Sequence, residues 1–386
     1  MSTCRHGEAL LDQPLAEFAD QFRRWRQTHE SELAPALVGL SDYDERVAQS
    51  RALRRLLCEH GWGLYGWPEA IGGRGGSILH RATVYEELFR AGWTGPTIFE
   101  HLEIVAPTIL HFARTSFSTK VLPSFLSGEH AWAQGFSEPE AGSDLASLRT
   151  RARPDGDAFI VTGAKIWTSW AKYADWCLAL VRTGTAEERH RGLTMIAIDL
   201  AAPGVVVRPI RQANGTDELA EVTFQGVRVP VGQVIGDVGG GWGVAMYLLA
   251  RERGTLSWLR HCAFRQRLAA SSDLMREDHD RAVGEVVLQT LGVRASASTL
   301  LARDARGHVL GPEAAFNKLL MTRAEQKLFN VLREVDQLGV ALPSDCTDEL
   351  LLQQEYLFSR IVTVYGGSQQ MQLMTVARHI LGLRDD

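Results

Sequence analysis

The chain alternates between two kinds of hydrophobic pattern. From residue 15 to about residue 127, apolar side chains recur every three to four residues, as at Phe18, Phe22 and Trp25, which predicts helices. Between residues 132 and 238, short β-branched and aromatic runs are separated by Gly, Asp and Pro, which predicts an antiparallel sheet or a small barrel. After the glycine cluster at 239–241 the helical period returns and continues to the end.

This order of patterns predicts three domains. We expect a helical N-terminal domain over 1–131, a central β domain over 132–238 and a C-terminal helical bundle over 239–386. A chain of 386 residues is longer than the chains that usually fold around a single hydrophobic core, so several packed units are expected. Within the N-terminal part, a glycine-rich loop at 66–76 and the pair Ala106-Pro107 predict breaks between helices.

Composition excludes several classes of protein. A net charge of -5 gives no polybasic surface, so nucleic acid is not expected as a partner. The N-terminus lacks the apolar run of a signal peptide and no stretch reaches transmembrane length, so we expect a cytoplasmic protein without a membrane partner. The five cysteines, Cys4, Cys58, Cys177, Cys262 and Cys346, and the histidines show no metal-ligand spacing, so neither disulfides nor a metal site is predicted.

Three runs of residues carry the densest chemical signal. They are WAQGFSEPEAGSD at 132–144, GAKIWTS at 163–169 and YGGSQQMQ at 365–372. Together they resemble the signature stretches of the acyl-CoA dehydrogenase family, and the resemblance covers nearly the whole chain. It implies a mainly α fold with a helical N-terminal domain, a β-barrel-like middle domain and a C-terminal four-helix bundle. FAD is expected between the middle domain and the bundle, reaching a neighbouring subunit.

The resemblance also assigns residues to the flavin. A flavin needs a flat apolar partner, small donors at its polar edge and glycine where the backbone approaches the diphosphate. Trp167 would pack on the ring, Ser169 would bond near N5, and Gly142 would meet the pyrophosphate. The full set of implied FAD-binding residues is Phe136, Ser137, Gly142, Ser143, Trp167, Ser169, Gly366, Gly367, Ser368 and Gln370, and Ser143 is implied in substrate binding as well.

The catalytic base is where the chain departs from the commonest family pattern. Many members carry a catalytic glutamate at the position of Gly366, and glycine cannot take a proton. A minority arrangement places the base in a Leu-x-x-Glu-Arg pattern, which here makes Glu252 the candidate base and Arg253 a substrate or flavin neighbour. Leucines three and four residues before Glu252 and four and seven after it predict a carboxylate on an apolar stripe, with a raised pKa. The alternative is that Glu252 pairs with a nearby arginine.

The implied reaction is FAD-dependent α,β-dehydrogenation of an acyl thioester, carried by coenzyme A or by a carrier protein. The implied partners are an electron-transfer flavoprotein or a similar acceptor, and other subunits, in a homo-oligomer or in a heterotetramer with a related chain. The Gly-Gly form of the third run looks most like a bacterial branch that acts on steroid side chains or other specialised acyl groups. Two alternatives stay open: a non-catalytic partner subunit, and a flavin monooxygenase on the same fold.

Overall fold

The computed structural model describes residues 14–94, 97–272, 279–336 and 344–383. The chain packs as two compact units, of which the first comprises Met1–Pro96 with Ala250–Asp386 and the second comprises Thr97–Leu249. The predicted domain boundaries at residues 131 and 238 stay predictions. Cys4 lies outside the described residues.

Helices make up the first unit and both ends of the second. In chain order they are α1 (Leu15–Thr28), α2 (Glu30–Leu37), α3 (Tyr43–Glu59), α4 (Ile78–Arg90), α5 (Thr97–Phe112), α6 (Thr115–Ser127), α7 (Gly241–Ala270), α8 (Asp280–Ala305), α9 (Ala314–Val335), α10 (Thr347–Phe358) and α11 (Gln369–His379). Helices α5 and α6 and the first residues of α7 belong to the second unit, and the others belong to the first. Within the described residues, no helix has the length and apolar character needed to cross a membrane. The cytoplasmic location stays a prediction.

The first unit is held together by the apolar faces that its sequence predicts. Phe18 and Phe22 on α1 are fully buried. In the C-terminal part, Val293 of α8 packs with Met321 and Leu328 of α9 in one core cluster. The indole N–H of Trp258 on α7 donates a 3.1 Å hydrogen bond to the Ala82 carbonyl of α4, which ties the N-terminal helices to the bundle.

The second unit is built on a sheet. Its strands are β1 (Trp132–Gly135), β2 (Arg151–Asp155), β3 (Ala158–Ser169), β4 (Trp176–Arg182), β5 (Leu193–Asp199), β6 (Val205–Ile210), β7 (Leu219–Pro230) and β8 (Val234–Ile235). The strand order is β6-β7-β3-β2-β4-β5-β8, and β1 pairs with β4. Most pairs are antiparallel, as predicted, whereas β1 and β2 each run parallel to β4. The order of helices, strands and helices predicted from the hydrophobic pattern is therefore confirmed.

The predicted helix break at Ala106-Pro107 is wrong. Pro107 lies inside α5, which continues to Phe112. A proline in a helix removes one hydrogen bond and crowds the preceding turn. Here Val105, Ala106 and Ile109 are all fully buried, so packing along this face stabilises the helix in spite of the proline.

Candidate functional site

Two charged side chains fasten the loop after β1 to strand β3. Lys165 Nζ lies 2.7 Å from Glu138 Oε1 and donates a second hydrogen bond, of 3.1 Å, to the Phe136 carbonyl. The Glu138 carboxylate also accepts hydrogen bonds from the backbone N–H groups of Arg149 and Thr150, at 2.6 and 2.9 Å. Because both side chains are buried and all these groups are satisfied, the loop that carries Phe136 and Ser137 has a fixed position.

The loop and the second signature run lie side by side. The Ser137 carbonyl accepts a 2.9 Å hydrogen bond from the Ile166 N–H, next to Trp167. Phe136 is buried, and Ser137 and Ser169 are half-buried. The second unit thus brings together the residues that the resemblance assigns to the edge and face of the flavin ring.

Trp167 is presented by an irregularity in β3. The pairing of β3 with β7 changes register between Lys165 and Thr168, and Trp167 within this interval has a φ of +59°. A bulge of this kind re-aims a side chain away from the regular alternation of a strand. Trp167 is 56% exposed, while the neighbouring Thr168 hydroxyl is buried and has no hydrogen-bond partner in the part of the chain that the structure describes. A flat apolar surface beside an unsatisfied polar group suits an aromatic ligand with polar edges.

Gly142 and Ser143 follow a tight turn in which Glu138 and Ala141 exchange backbone hydrogen bonds of 2.9 and 3.1 Å. Both residues are exposed. A Cβ added at Gly142 would meet no atom of any described residue within 4 Å, so these residues leave the space beside this backbone open. An open glycine after a rigid turn allows the backbone to approach a bulky anion closely.

Glu252 is the buried acid of the first unit. It lies on α7, only 8% exposed, with the predicted leucines Leu256 and Leu259 buried on the same helix. Burial raises the pKa of Glu252, and the positive charges of Lys318 and Arg253 offset only part of this effect. The predicted apolar setting and the predicted direction of its pKa therefore agree with the structure.

One form of the alternative, in which Glu252 pairs with the preceding arginine, does not describe this helix. Arg251 instead contacts Asp304 on α8, with its two terminal nitrogens 2.8 and 2.6 Å from the carboxylate oxygens. Arg253 extends toward the Gly-Gly turn, where its Nη2 lies 3.2 Å from the position of a Cβ on Gly367. Arg253 is therefore close to Gly367, and its role near flavin or substrate stays a prediction.

The Gly-Gly turn before α11 faces the buried acid. Gly366 and Gly367 have φ angles of +62° and +90°. Glu252 Oε1 lies 2.5 Å from the point where a Cβ on Gly366 would stand. The Ser368 hydroxyl caps α11 by accepting a 3.3 Å hydrogen bond from the backbone three residues later, while Gln370 is exposed on the first turn. The first unit thus brings Glu252, Arg253 and the Gly-Gly turn together.

Sequence reasoning missed four residues that support these two groups. Glu138 and Lys165 lie inside the signature runs, and the charged Lys165 among the residues of a predicted strand was a signal that could have revealed the pair. Gln372 is buried and donates a 3.1 Å hydrogen bond to the Gly367 carbonyl. Lys318 is also buried, and only its place on the apolar face of α9 could have marked it.

Three potential metal ligands converge elsewhere in the first unit. His29, Glu32 and His60 each offer one ligand atom, all within 4.8 Å of one another. Glu32 is exposed, His60 Nε2 lies 3.6 Å from its carboxylate, and His29 Nδ1 bonds to the Trp25 carbonyl at 2.8 Å. A contact between Glu32 in the first turn of α2 and His60 directly after α3 accounts for this arrangement.

Comparison with known proteins identifies the class. The N-terminal, middle and C-terminal domain models of acyl-CoA dehydrogenase match residues 16–129, 133–227 and 239–381. The chain therefore belongs to the acyl-CoA dehydrogenase family, whose members are flavoprotein oxidoreductases, and it has the three-domain fold that the resemblance implied.

Relatives cover the chain almost completely. The acyl-CoA dehydrogenase IpdE1 of Mycobacterium tuberculosis is 36% identical over 382 residues, which are 96% of this chain and 98% of that protein. A solved structure described as the Tcur3481-Tcur3483 steroid ACAD is 26% identical, with a TM-score of 0.80 over 97% of this chain and 100% of that one. The ChsE4-ChsE5 complex of M. tuberculosis is 25% identical, with a TM-score of 0.76 over 97% and 99%.

Proposed function

We propose that the chain catalyses FAD-dependent α,β-dehydrogenation of an acyl thioester, with Glu252 as the base. The observation that carries this proposal is the carboxylate of Glu252, which is buried, has a raised pKa and faces the backbone of Gly366. Because glycine has no side chain, nothing from residue 366 covers this carboxylate. The base that the commonest family pattern places at residue 366 is thus supplied here from α7.

The properties of Glu252 suit removal of a proton from carbon. A thioester carbonyl acidifies its α carbon only weakly, so the base works best when its pKa lies near the operating pH. Burial of Glu252 moves its pKa in that direction. Once the α proton is taken, the carboxyl group is neutral and therefore stable in its apolar surroundings.

The flavin would be held by residues of the signature runs. Trp167 would cover the ring, Ser169 and Thr168 would reach its polar edge, and Gly142 with Ser143 would approach the pyrophosphate. The exposed Trp167 ring, the unsatisfied Thr168 hydroxyl and the open space at Gly142 support this assignment. When bound, FAD supplies the acceptor for the hydride that leaves the β carbon. Gly366, Gly367, Ser368 and Gln370 are proposed as further contacts of the nucleotide.

The relatives favour a specialised acyl group as substrate. One similar structure is a steroid ACAD, and the resemblance of the Gly-Gly run at 366–367 to a bacterial branch that acts on specialised acyl groups points the same way. We propose a bulky acyl thioester, joined to coenzyme A or to a carrier protein, and an electron-transfer flavoprotein or a similar protein as electron acceptor. Glycine at residue 366 leaves the Glu252 carboxylate unobstructed, because a Cβ at this residue would collide with it.

An oligomer is the proposed working form. Leu288 and Leu291 on α8 and Leu373 on α11 are 70%, 51% and 51% exposed, so both helices offer apolar side chains for a contact between subunits. The ChsE4-ChsE5 complex shows that a relative assembles from two different chains. We propose either a homo-oligomer or a heterotetramer with a related subunit.

Isolation of the protein with its cofactor tests the function. The chain is purified alone and together with related acyl-CoA dehydrogenase chains from the same organism, and its visible spectrum is recorded before and after addition of FAD. We expect a flavin spectrum, and mass spectrometry should show the loss of two hydrogens from one member of a panel of acyl-CoA and carrier-bound thioesters. A colourless protein that FAD does not reconstitute under either condition would exclude the proposed function.

A further inference from the structure

Lys318 borders the same space beside Gly366 as Glu252 does. Its Nζ is 3.5 Å from the point where a Cβ on Gly366 would stand, and Glu252 Oε1 is 2.5 Å from the same point. Lys318 comes from α9, whereas Glu252 comes from α7 and Gly366 from the turn before α11. Three separate segments therefore place an ammonium group and a carboxyl group around one small space.

Ordinary packing does not explain this lysine. It is 3% exposed, and its Nζ has no hydrogen-bond partner among the described residues. Its close neighbour is the face of the Tyr365 ring, whose centroid lies 3.8 Å from Nζ. Burying an ammonium group without a hydrogen-bonded partner is costly, so a lysine at this position needs a compensating role.

The surrounding charges single out Glu252 as the group that Lys318 serves. Burial lowers the pKa of Lys318 to about 8, and the negative charges of two buried carboxyl groups, Glu252 and Glu325, oppose this shift. Glu325 has a cation of its own, because Arg260 Nη1 lies 3.8 Å from its Oε1. Arg253 is the remaining cation near Glu252, and its effect on the Glu252 carboxylate is weaker than that of Lys318.

We propose that Lys318 is a positioning residue for the dehydrogenation, acting through Glu252: its ammonium group keeps the buried carboxyl group ionised and directed at the space over Gly366. The inference rests on the proposed role of Glu252 as base. A carboxyl group takes up a proton only when it is ionised, and burial alone favours the neutral form. A fixed positive charge nearby restores the ionised form without making the direct ion pair that would block the carboxylate.

The test measures the ionisation of Glu252 directly, in the protein without substrate. Infrared difference spectra recorded as a function of pH show the band of a buried protonated carboxyl group, and the band that E252Q lacks belongs to Glu252. In K318M we expect this band to persist to a pH about 1–3 units higher than in the unsubstituted protein, since an opposite charge at this range shifts a carboxyl group by that much. K318R keeps the charge and should stay near the unsubstituted protein.

The matched control is K327M. Lys327 lies on the same helix, where it contacts Glu285 at 2.8 Å with a third of its side chain exposed, so its loss should leave the Glu252 band in place. If K318M does not fold, K318Q serves the same purpose. In the flavin-loaded enzyme, the acidic limb of the pH profile of kcat/KM should move upward by the same amount as the band.

The outcomes separate the two proposals. A Glu252 band that does not move in K318M, or that moves to lower pH, overturns the role of Lys318 whatever the activity is. A shifted band in a protein that oxidises no thioester supports the coupling of Lys318 to Glu252 and contradicts the proposed function. Equal shifts in K318M and K327M would also overturn the inference, because they would show a general effect of charge.

Discussion

Glu252 Oε1 lies 2.5 Å from the point where a Cβ on Gly366 would stand. This distance is shorter than any real contact between a Cβ and an oxygen, so the carboxylate occupies space that only a glycine at residue 366 leaves free. Helix α7 and the turn before α11 are far apart in sequence, yet the position of the Glu252 carboxylate depends on the residue type at 366. The buried acid at residue 252 therefore requires a residue without a side chain at 366.

The first prediction follows from this match. In G366A, the added methyl group must displace the Glu252 carboxylate, so we expect kcat/KM to fall by at least about tenfold, in keeping with the sensitivity of catalysis to small misplacements. The control is G382A, since Gly382 has a similar φ of +67° and a Cβ added there would meet no atom of the described residues within 4 Å. G382A carries the backbone strain without the clash and should keep its activity. Steady-state kinetics of both variants check the prediction, and equal losses would contradict it.

The Glu138–Lys165 pair gives the second prediction. Burial opposes the charge on Glu138, but Lys165 and two backbone N–H groups outweigh it and hold the pKa of Glu138 below its usual range. K165M would leave this carboxylate buried and unpaired, which costs about 3–5 kcal/mol of unfolding free energy. The double variant E138Q/K165M should recover part of that loss. Because the pair fixes the loop that carries Phe136, K165M should also lose bound flavin.

Chemical denaturation and flavin content measure these effects. K172M is the control, since Lys172 contacts Asp217 at 2.8 Å in a half-exposed pair of the same unit, and such pairs contribute about 1 kcal/mol or less. A K165M variant as stable as K172M would show that the buried pair does not fix the loop.

The third prediction concerns acid stability. His101 is buried on α5, its Nδ1 lies 2.6 Å from the Trp132 carbonyl, and its ring lies 4.3 Å from that of Trp170. Burial lowers the pKa of His101 to about 4, although the hydrogen bond opposes this shift. In the unfolded chain His101 binds a proton below about pH 6.5, whereas in the folded protein it stays neutral down to about pH 4. The free energy of unfolding therefore decreases as the pH falls from about 6.5 to about 4.

His101 accounts for up to about 3 kcal/mol of this loss, because each unit of pKa shift is worth about 1.4 kcal/mol. In H101N, whose amide can donate to the same carbonyl, the decline of melting temperature between pH 7 and pH 4 should be shallower than in the unsubstituted protein. His261 keeps its own contribution, since burial also lowers its pKa to about 4. H308N, at an exposed histidine, is the control, and a decline as steep in H101N as in H308N would rule out the account.

Much of the fold could be predicted from the sequence, because its signals are local. The buried faces of α1 and α7 follow the helical period, and the short runs between 132 and 238 became strands. The break at Pro107 was wrong because local propensity competes with packing, and the fully buried residues around Pro107 decide the outcome. The outward display of Trp167 depends on a bulge set by pairing with β7, which no pattern in β3 reveals.

The candidate site was predictable only where a motif marked it. Glu252 was identified because the resemblance places the base in the Leu-x-x-Glu-Arg pattern, and the leucines around it predicted its apolar setting. Lys318 on α9 and Gln372 on α11 both lie beside the Gly-Gly turn, but the sequence of neither helix reveals how the two helices pack together. Such convergence depends on long-range contacts, so it required the structure.

The most direct measurement of the central claim is a single-turnover reaction. Flavin-loaded protein is mixed without oxygen with an acyl thioester that it oxidises, and bleaching of the visible flavin band is followed in the unsubstituted protein, in E252Q and in E87Q. Glu87 is a buried glutamate paired with arginines on the N-terminal helices, so E87Q controls for loss of a buried acid. We predict bleaching about 10²–10⁴ times slower in E252Q, with its flavin content intact, and little change in E87Q. Bleaching in E252Q at the rate of the unsubstituted protein would contradict the assignment of Glu252 as the base.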